Sequence, residues 1–317
     1  MKQDSLDFSQ SRILIIGDVM LDKYYFGSVE RISPEAPVPI VNIRKEESRL
    51  GGAANVANNI TTLGGNTLLC GMIGHDLFGK EVERITRQKN IRTFFVKSAS
   101  PTITKARIIG GKQQIVRVDY EDKSEIHEPE KKLLKEAILA NLSDYDILVI
   151  SDYGKGMITA DFCGYLIRAA RQAGKIVIVD PKGRNWKKYS GADIVTPNVK
   201  ELSEIAGHTV PNTDRAIEKA AQEVLEANQL TSLLVTRSDK GMSLIGNVAP
   251  IHIPTHSEEV FDVSGAGDTV VATLSICLSI GLSISEAMKI ANIAAGIVVK
   301  KIGTATLTAE ELIQNCE

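Results

Sequence analysis

Residues 146–180, DILVISDYGKGMITADFCGYLIRAARQAGKIVIVD, carry the clearest signal of fold class in the chain. Two continuous apolar runs, Asp146–Ser151 and Lys175–Asp180, flank a helical pattern near 160–173. Such runs are typical of parallel strands buried on both faces, with a helix as the crossover between them. The alternation recurs, with strands predicted at Arg12–Gly17, Thr67–Ile73, Asp193–Thr196 and Ser232–Thr236, and helices near 52–64, 77–90, 129–142, 213–229, 266–281 and 284–300. We therefore predict an α/β fold with a mainly parallel sheet covered on both faces.

Two segments break this alternation. Tyr24–Arg44 contains the proline-marked run Ser33–Pro39, and Pro101–Tyr120 alternates without a helical period. Both are typical of strands outside the main sheet. They predict a small β flap over one edge of the α/β body, and flaps often close active sites.

Composition narrows the class of partner. The chain has 317 residues, 43% of them hydrophobic, which suffices for one large or two modest domains. The net charge of −2 disfavours nucleic acid or an anionic membrane as partner. Met1–Ser11 lacks the order of a signal peptide, and the apolar stretches near 270–282 and 290–299 are too short to span a bilayer. A reduced, cytoplasmic protein without a zinc site is expected, because no C-x-x-C pair occurs among Cys70, Cys163, Cys277 and Cys316.

The segment Asp262-Val-Ser-Gly-Ala-Gly-Asp268 opens an apolar helical run and is the strongest functional signal. A small-residue loop at a helix start directs backbone N–H groups at one point, which favours an anion. Asp268 beside that point suits a base that takes a proton from an attacking hydroxyl, as phosphoryl transfer requires. An acidic first turn after a glycine-rich loop, with no ligand, is the alternative.

Polar residues also follow several predicted strands, where open parallel sheets bind ligands. The segments are Gly17–Asp22, Ser151–Gly156, Asp180–Gly183, Thr196–Asn198 and Thr236–Ser238. In Gly51-Gly-Ala-Ala-Asn55, the glycines allow close approach of a ligand and Asn55 offers a donor and an acceptor, although close helix packing explains the glycines equally well. Asn198 and Glu201 have the spacing of a capping box and also of a pair near a hydrated Mg²⁺.

Two further patterns were weighed. Lys105, Arg107, Lys112 and Arg117 recur along the second flap segment, either as a solvated face or as a grip on a phosphate carried by the substrate. Gly74–Lys80 fits G-x-x-x-x-G-K, but Glu81 stands where a P-loop needs Ser or Thr for Mg²⁺. An ordinary turn is expected there.

In this order, Gly51–Asn55, the Asn198/Glu201 pair and Asp262–Asp268 resemble the ribokinase-like (PfkB) carbohydrate kinases. The resemblance covers residues 12–312. It implies a three-layer α/β/α body with a mainly parallel central sheet, a small β-sheet lid, and the use of ATP and Mg²⁺. One kinase domain over residues 1–317 is expected, with lid segments at about 24–46 and 97–120.

Other motifs are similar to those of family members that phosphorylate D-glycero-β-D-manno-heptose 7-phosphate. These motifs are Gly17–Tyr24, Arg31–Pro39, Gln113–Asp119, Ser151–Gly156 and Asp180–Gly183. In many bacteria that activity is the amino-terminal half of a bifunctional enzyme with a nucleotidyltransferase. No H-x-G-H motif occurs in this chain, so we expect a stand-alone kinase or the kinase half, without a nucleotidyltransferase domain.

Carried onto this chain, the resemblance makes Asp268 the base and gives the anion-hole amides to Gly265, Ala266 and Gly267. The sugar would contact Asp18, Asp22, Gly51, Gly52, Asn55 and Asp152, and phosphate oxygens would contact Arg107 and Lys182. The nucleotide would lie along Asn198, Glu201, Thr236, Ser238, Gly241 and Asn292. Glu201 would also hold the metal through water. A monovalent cation such as K⁺ near the Asp262 loop and a homodimer formed through the lid are further expectations.

The implied reaction transfers the γ-phosphoryl group of ATP to the anomeric hydroxyl of the heptose 7-phosphate, giving the 1,7-bisphosphate for ADP-heptose and lipopolysaccharide core precursors. Because Asp268 begins a helix, a depressed pKa is expected for its carboxyl group. The alternatives are another sugar, sugar-phosphate or nucleoside kinase of this fold, and a non-catalytic sugar- or nucleotide-binding regulator. An oxidoreductase is disfavoured, because no G-x-G-x-x-G follows the first strand.

Overall fold

The computed structural model describes residues 7–255 and 260–316, so Met1–Leu6 of the amino-terminal segment lies outside it. The main sheet in these ranges has nine strands in the order β13-β12-β11-β10-β9-β8-β1-β4-β5. Their bounds are β1 Arg12–Gly17, β4 Asn66–Gly74, β5 Arg92–Ser98, β8 Ile147–Ser151, β9 Ile176–Asp180, β10 Ile194–Val195, β11 Ser232–Thr236, β12 Met242–Gly246 and β13 Ile251–Ile253. All pairs from β5 to β11 are parallel, and β12 and β13 add an antiparallel edge.

Helices cover both faces of this sheet. They are α1 Ala53–Thr62, α2 Leu77–Gln88, α3 Glu128–Asn141, α4 Ala160–Gln172, α5 Val199–Ala206, α6 Asp214–Asn228, α7 Ala266–Ser279, α8 Ile284–Val298 and α9 Ala309–Asn315. Along β1, Ile13 and Ile15 pack into the core that contains α1, α7 and α8, whereas Leu14 and Ile16 pack into the core that contains α3, α4 and α6. Successive side chains point to opposite faces of a strand, so a strand between two helical layers is apolar throughout. The predicted three-layer α/β/α fold is confirmed.

A second, four-stranded sheet has the order β3-β2-β6-β7. Its strands are β2 Val19–Ile32, β3 Pro39–Gly52, β6 Ile103–Gly110 and β7 Gln113–Tyr120. The first flap segment expected from the sequence, at about 24–46, is shorter than the stretch formed by β2 and β3, because β2 begins one residue after Asp18 and β3 runs directly into α1; the second, at about 97–120, includes all of β6 and β7. The main and second sheets therefore meet at Asp18, at the carboxyl end of β1.

Several short elements escaped the sequence analysis. Strands β12 and β13 lie at the edge of the main sheet and are short: β12 is buried at its first four residues, and β13 is half-buried at all three. Strand β5 occupies the other edge and is exposed over its first three residues. Edge strands have only one paired neighbour, so their composition is weakly constrained.

The state of the cysteines and the apolarity of the helices are known for the same ranges. All four cysteines are free thiols, and burial raises the pKa of Cys70, Cys163 and Cys277 to about 12 each. Across residues 7–255 and 260–316, no helix combines the length and apolarity that a membrane crossing requires.

Candidate active site

Asp268 lies in the first turn of α7 and is 4% exposed. Its Oδ2 accepts a hydrogen bond from Nδ2 of Asn55 at 2.7 Å, and its Oδ1 accepts one from the hydroxyl of Tyr153 at 2.7 Å. Burial raises the pKa of Asp268 to about 6, and the two hydrogen bonds lower it only in part. The expected depressed pKa is therefore wrong, because desolvation by α1, the β8–α4 loop and α7 itself outweighs the start of the helix.

Other charged groups act on this carboxylate. Asp22, on β2, raises the pKa of Asp268 and Lys105, on β6, lowers it. Asp180, at the end of β9, has a pKa well above its usual range, first because of burial and second because of Asp268. Asp268 therefore lies where β2, β6, β9 and α7 bring their charges together.

Two of the three backbone amides expected to bind an anion, those of Gly265 and Gly267, are left without a backbone acceptor in the ranges described. Gly265 is the N-cap of α7 with φ of 81°, a left-handed conformation that favours glycine. A Cβ there would come within 2.9 Å of Nδ2 of Asn55. The N–H of Ala266 donates to the carbonyl of Val263 at 3.2 Å, so this expected donor is engaged in a turn. The amides of Gly265 and Gly267 have no such acceptor in the ranges described.

A cavity of about 800 Å³ opens beside this loop. Ala266 and Gly267 line it directly. Five of the six residues expected along the nucleotide also line it: Asn198, Thr236, Ser238, Gly241 and Asn292. Asp22, Asn55 and Asp268 do not line it, although Asp268 is the residue after Gly267 and contacts Asn55. The volume suits a ligand of nucleotide size.

Glu201, the sixth, completes a capping box at the start of α5. Its backbone N–H donates to Oδ1 of Asn198 at 2.9 Å, and its Oε2 accepts from the N–H of Asn198 at 3.1 Å. Its Oε1 accepts from Nζ of Lys182 at 2.7 Å. Lys182 is thereby placed on the nucleotide side of the site. The capping box accounts for the spacing of Asn198 and Glu201. Helix capping does not require the ion pair between Glu201 and Lys182.

Asp22 of β2 and Arg107 of β6 form a largely buried ion pair on one face of the second sheet. Nη1 of Arg107 donates to Oδ1 of Asp22 at 2.6 Å, and the two side chains are 16% and 7% exposed. A Cβ on Gly51 would lie 2.7 Å from Oδ2 of Asp22, and one on Gly52 would lie 2.4 Å from the carbonyl of Asp18. The two glycines thus allow β3 to approach β2 and the end of β1 closely, which is a contact between strands and not the helix packing considered from the sequence.

Asp18 and Asp152 are buried at the ends of β1 and β8. Oδ2 of Asp18 accepts from the N–H groups of Tyr153 and Lys155, while its Oδ1 is buried without a hydrogen-bond partner in the ranges described. Burial raises the pKa of Asp18 to about 6, and Asp152 adds to the shift. Both oxygens of Asp152 are occupied, by the N–H of Gly154, by Lys188 and by the hydroxyl of Tyr189. In this structure Asp152 shapes the loop after β8 and presents no free oxygen to a sugar.

Two residues of the site received no role from the sequence, Tyr153 and Asp180, whereas Lys105 was one of four cations considered for a phosphate. Tyr153 and Asp180 follow predicted strands, so their position was visible, but their contact with Asp268 was not. Tyr153 is 115 residues from Asp268 along the chain. Only the fold brings these groups together.

Gly74–Lys80 forms the ordinary turn that was expected. Asp76 is the N-cap of α2 and accepts from the N–H of Gly79 at 2.7 Å. Glu81 pairs with Arg84 on the same helix. The carboxylate of Asp76 already caps the first turn of α2, where a nucleotide phosphate would have to bind.

Metal binding has a narrow basis in these ranges. Within residues 7–255 and 260–316, no group of three or more His, Cys, Asp or Glu side chains could hold a metal ion.

The chain is similar to known proteins over most of its length. A family model described as pfkB family carbohydrate kinase matches residues 10–311. Proteins named bifunctional protein HldE, from Chromohalobacter salexigens and Haemophilus influenzae, are 46% and 44% identical to this chain over 98% of its length. The chain spans 65% of the length of each of these relatives.

Solved structures share the fold. Phosphofructokinase-2 from Escherichia coli, described in complex with potassium, superposes with a TM-score of 0.81 over 96% of this chain and 97% of its own, at 22% identity. Ribokinase from Arabidopsis thaliana, in complex with ribose and ATP, gives a TM-score of 0.75 over 97% and 99%, at 19% identity.

Proposed function

This chain belongs to the pfkB family of carbohydrate kinases, and we propose that it transfers the γ-phosphoryl group of ATP to the anomeric hydroxyl of D-glycero-β-D-manno-heptose 7-phosphate. The product is the 1,7-bisphosphate, a precursor for ADP-heptose and the lipopolysaccharide core. One observation supports phosphoryl transfer above all: a buried carboxylate, Asp268, follows directly on Gly267, which lines a cavity of nucleotide size, and lies close enough to Asp22 and Lys105 of the second sheet to feel their charges. The 46% and 44% identical relatives and the heptose-kinase motifs support the sugar.

The proton step falls to Asp268. Its carboxylate accepts the proton of the anomeric hydroxyl as the sugar oxygen bonds to phosphorus, while the bond from phosphorus to the bridging oxygen of ADP breaks. Asn55 and Tyr153 hold the two carboxylate oxygens in place before the sugar arrives. Transition states of this kind are often loose, so holding the reactants in line contributes more than the strength of the base.

The negative charge of the phosphoryl group lies at the start of α7 during the transfer. The free amides of Gly265 and Gly267 and the positive end of the helix stabilise its oxygens. Glu201, 11% exposed, would hold a hydrated Mg²⁺ through water, and Lys182 lies beside it. The ion supplies charge neutralisation to the ATP phosphates.

Residues on the sugar side divide into two groups. Asp22, Asn55 and Asp18, with its unpartnered Oδ1, are the candidates for hydrogen bonds to sugar hydroxyls. Gly51 and Gly52 allow the backbone to come close to the ligand, and Asp152 acts through the loop that it shapes. Arg107, half-buried under the second sheet, is the candidate for the phosphate that the sugar already carries.

The proposal extends to assembly and surroundings. The second sheet acts as a lid and pairs with that of another copy in a homodimer, supported by exposed apolar side chains on one of its faces, among them Val116 and Val118 at 45% and 39% exposure. A monovalent cation binds near the Asp262 loop, supported by the potassium complex of phosphofructokinase-2. The protein acts in the cytoplasm.

The test is ATP turnover by the purified chain with heptose 7-phosphate, fructose 6-phosphate and ribose, with Mg²⁺ present. We expect kcat/KM to be highest for heptose 7-phosphate, and phosphorus NMR to locate the new phosphate on C1. Preference for another sugar would assign a different kinase activity. Binding of ATP and sugar without turnover in any pair would make the chain a regulator.

A further inference from the structure

Residues 237–241, which we call the β11–β12 loop, form part of the wall of the nucleotide cavity. Ser238, Asp239 and Gly241 line the cavity, whereas Arg237 does not. The backbone N–H of Arg237 donates to the carbonyl of Gly241 at 2.7 Å and closes the loop. Arg237 is only 3% exposed, so a charged side chain is buried directly behind a wall of the site.

The guanidinium group of Arg237 connects this loop to two other elements. Its Nε donates to Oδ1 of Asn212, just before α6, at 2.9 Å. Its Nη1 donates to Oδ1 of Asp214, the first residue of α6, at 2.5 Å and to Oγ of Ser243 on β12 at 2.8 Å. A planar guanidinium group can bind three such acceptors at once because its donors point in fixed, different directions.

Asn212 acts on the backbone of the loop as well as on the side chain. Its Nδ2 donates to the carbonyl of Arg237 at 3.0 Å, while its Oδ1 accepts from Nε of the same residue. Neutralising a buried arginine would require only the carboxylate of Asp214. The second bond from Asn212 therefore serves to fix the position of the loop.

The residue after Arg237 has an unfavourable backbone conformation. Ser238 has φ of 53°, in the left-handed region that residues other than glycine rarely adopt. Among the described residues, Asn90 and Gln229 share this feature, but they follow the ends of α2 and α6, where a left-handed residue commonly ends a helix. Ser238 instead faces the cavity. Such a conformation persists only where the surrounding contacts hold it, and Arg237 supplies contacts of this kind.

We propose that Arg237 is a positioning residue, which holds the β11–β12 loop in the conformation that binds ATP and so sets the affinity for ATP without touching it. This inference rests on the proposed function, since it takes the cavity to hold ATP. A loop that is ordered in advance loses little conformational entropy when a ligand binds. A released loop would lose that entropy on binding, and its affinity for the nucleotide would fall.

The experiment compares the wild type with Arg237→Lys, which keeps the positive charge but cannot bind three acceptors in the same geometry. Steady-state rates give kcat and the KM of each substrate, and calorimetry gives the dissociation constant of ADP with Mg²⁺. We expect the KM of ATP and the dissociation constant of ADP to rise by about 10-fold, as when roughly one more residue must be ordered on binding. The kcat and the KM of the sugar should change by less than about threefold, because the loss falls on binding alone.

Asn212→Ala tests the same contact from the other side and keeps the buried charge and its carboxylate partner. It should also raise the KM of ATP, because the carbonyl and Nε of Arg237 both lose this partner. The two residues act through one network, so the double variant should bind ATP no more weakly than the more affected single variant.

Arg12→Lys is the matched control. Arg12 also uses two guanidinium nitrogens, which donate to Asp146 at 3.3 and 2.9 Å, but it lies at the amino end of β1 and does not line the cavity. Its substitution should leave the KM of ATP and the binding of ADP unchanged. Thermal unfolding followed by circular dichroism establishes that each variant is folded at the assay temperature.

The outcomes separate the inference from the proposed function. Unchanged KM for ATP and unchanged ADP binding in folded Arg237→Lys and Asn212→Ala would overturn the role of Arg237. A fall in kcat alone, an equal effect of Arg12→Lys, or single effects that multiply in the double variant would also overturn it. A wild type that binds ADP but phosphorylates no sugar, with weaker ADP binding in Arg237→Lys, would refute the proposed reaction and uphold the positioning role.

Discussion

A buried carboxylate that must accept a proton has to be ionised at the pH of the reaction. At Asp268, desolvation raises the pKa to about 6, and hydrogen bonds from Asn55 and Tyr153 limit the rise. The group is thus a stronger base than an exposed aspartate, and it is still largely ionised at neutral pH. General-base catalysis is most efficient when the pKa lies near the working pH.

Removing the base is the direct test of its role. Asp268→Asn keeps the shape of the side chain but cannot accept the proton, so we expect kcat to fall by roughly 100-fold or more. Binding of ATP, measured by calorimetry, should persist because the cavity is unchanged. A variant that turns over as fast as wild type would remove Asp268 from the chemistry.

The pH profile tests how Asp268 is tuned. Activity requires the ionised form, so kcat/KM should fall as the pH drops through about 6. The Tyr153 hydrogen bond stabilises the ionised form, so Tyr153→Phe should raise the pKa and move this acid limb upward by about one pH unit. Tyr189→Phe is the matched control, because its hydroxyl makes an equally short bond to the buried Asp152. If both variants shift alike, or neither does, Tyr153 does not tune the base.

At the scale of the element, the start of α5 performs two tasks with the same residues. The Asn198/Glu201 capping box satisfies backbone groups of the helix, and the outer oxygen of Glu201 binds Lys182. A second capping box, Ser283/Glu286 at the start of α8, uses its glutamate only for the cap. The two helices therefore allow a comparison between a capping box whose glutamate also binds a lysine and one whose glutamate only caps the helix.

Glu201→Gln separates the two tasks, because glutamine also completes a capping box. We expect the free energy of unfolding to change by less than about 1 kcal/mol, while the Mg²⁺ concentration for half-maximal rate rises by about 10-fold, as for a residue that holds a metal through water. Glu286→Gln should alter neither quantity. Loss of stability without a change in Mg²⁺ requirement would reduce Glu201 to a helix cap.

At the scale of the whole molecule, the second sheet has two dissimilar faces. One face carries Asp22, Lys105 and Arg107, and the charges of Asp22 and Lys105 act on Asp268. The opposite face carries Val116 and Val118, which are exposed, and the half-buried Ile108 opposite Val116. A sheet with one apolar face left exposed is a common site of self-association.

Assembly through that face is testable with one charge. Val116→Glu would place a carboxylate in the proposed contact, and the cost of desolvating it should weaken the dimer by about 100-fold or more. Sedimentation velocity over a range of concentrations measures this. Leu139→Glu, on the exposed side of α3 at 50% exposure, is the control. A wild type that stays monomeric at every concentration would disprove the dimer.

Local patterns determined the fold class and the family of this protein. Strands such as β8 and β9 lie between two helical layers, so they are apolar at every position, and that signal needs only a few neighbouring residues. The Asp262–Asp268 segment likewise indicates a helix that begins with a carboxylate in its first turn, because capping and helix geometry are local. The resemblance to the PfkB kinases, drawn from three such segments, is confirmed.

Tertiary structure alone decided the state of the site. The pKa of Asp268 was expected to be low from its helix and is raised, because desolvation depends on every atom packed around it. Tyr153 and Asp268 are 115 residues apart, and Asp22 and Arg107 are 85 apart, so only the topology pairs them. Contacts between distant residues, and the solvent they exclude, leave no trace in local periodicity, and for that reason the chemistry of this site required the folded molecule.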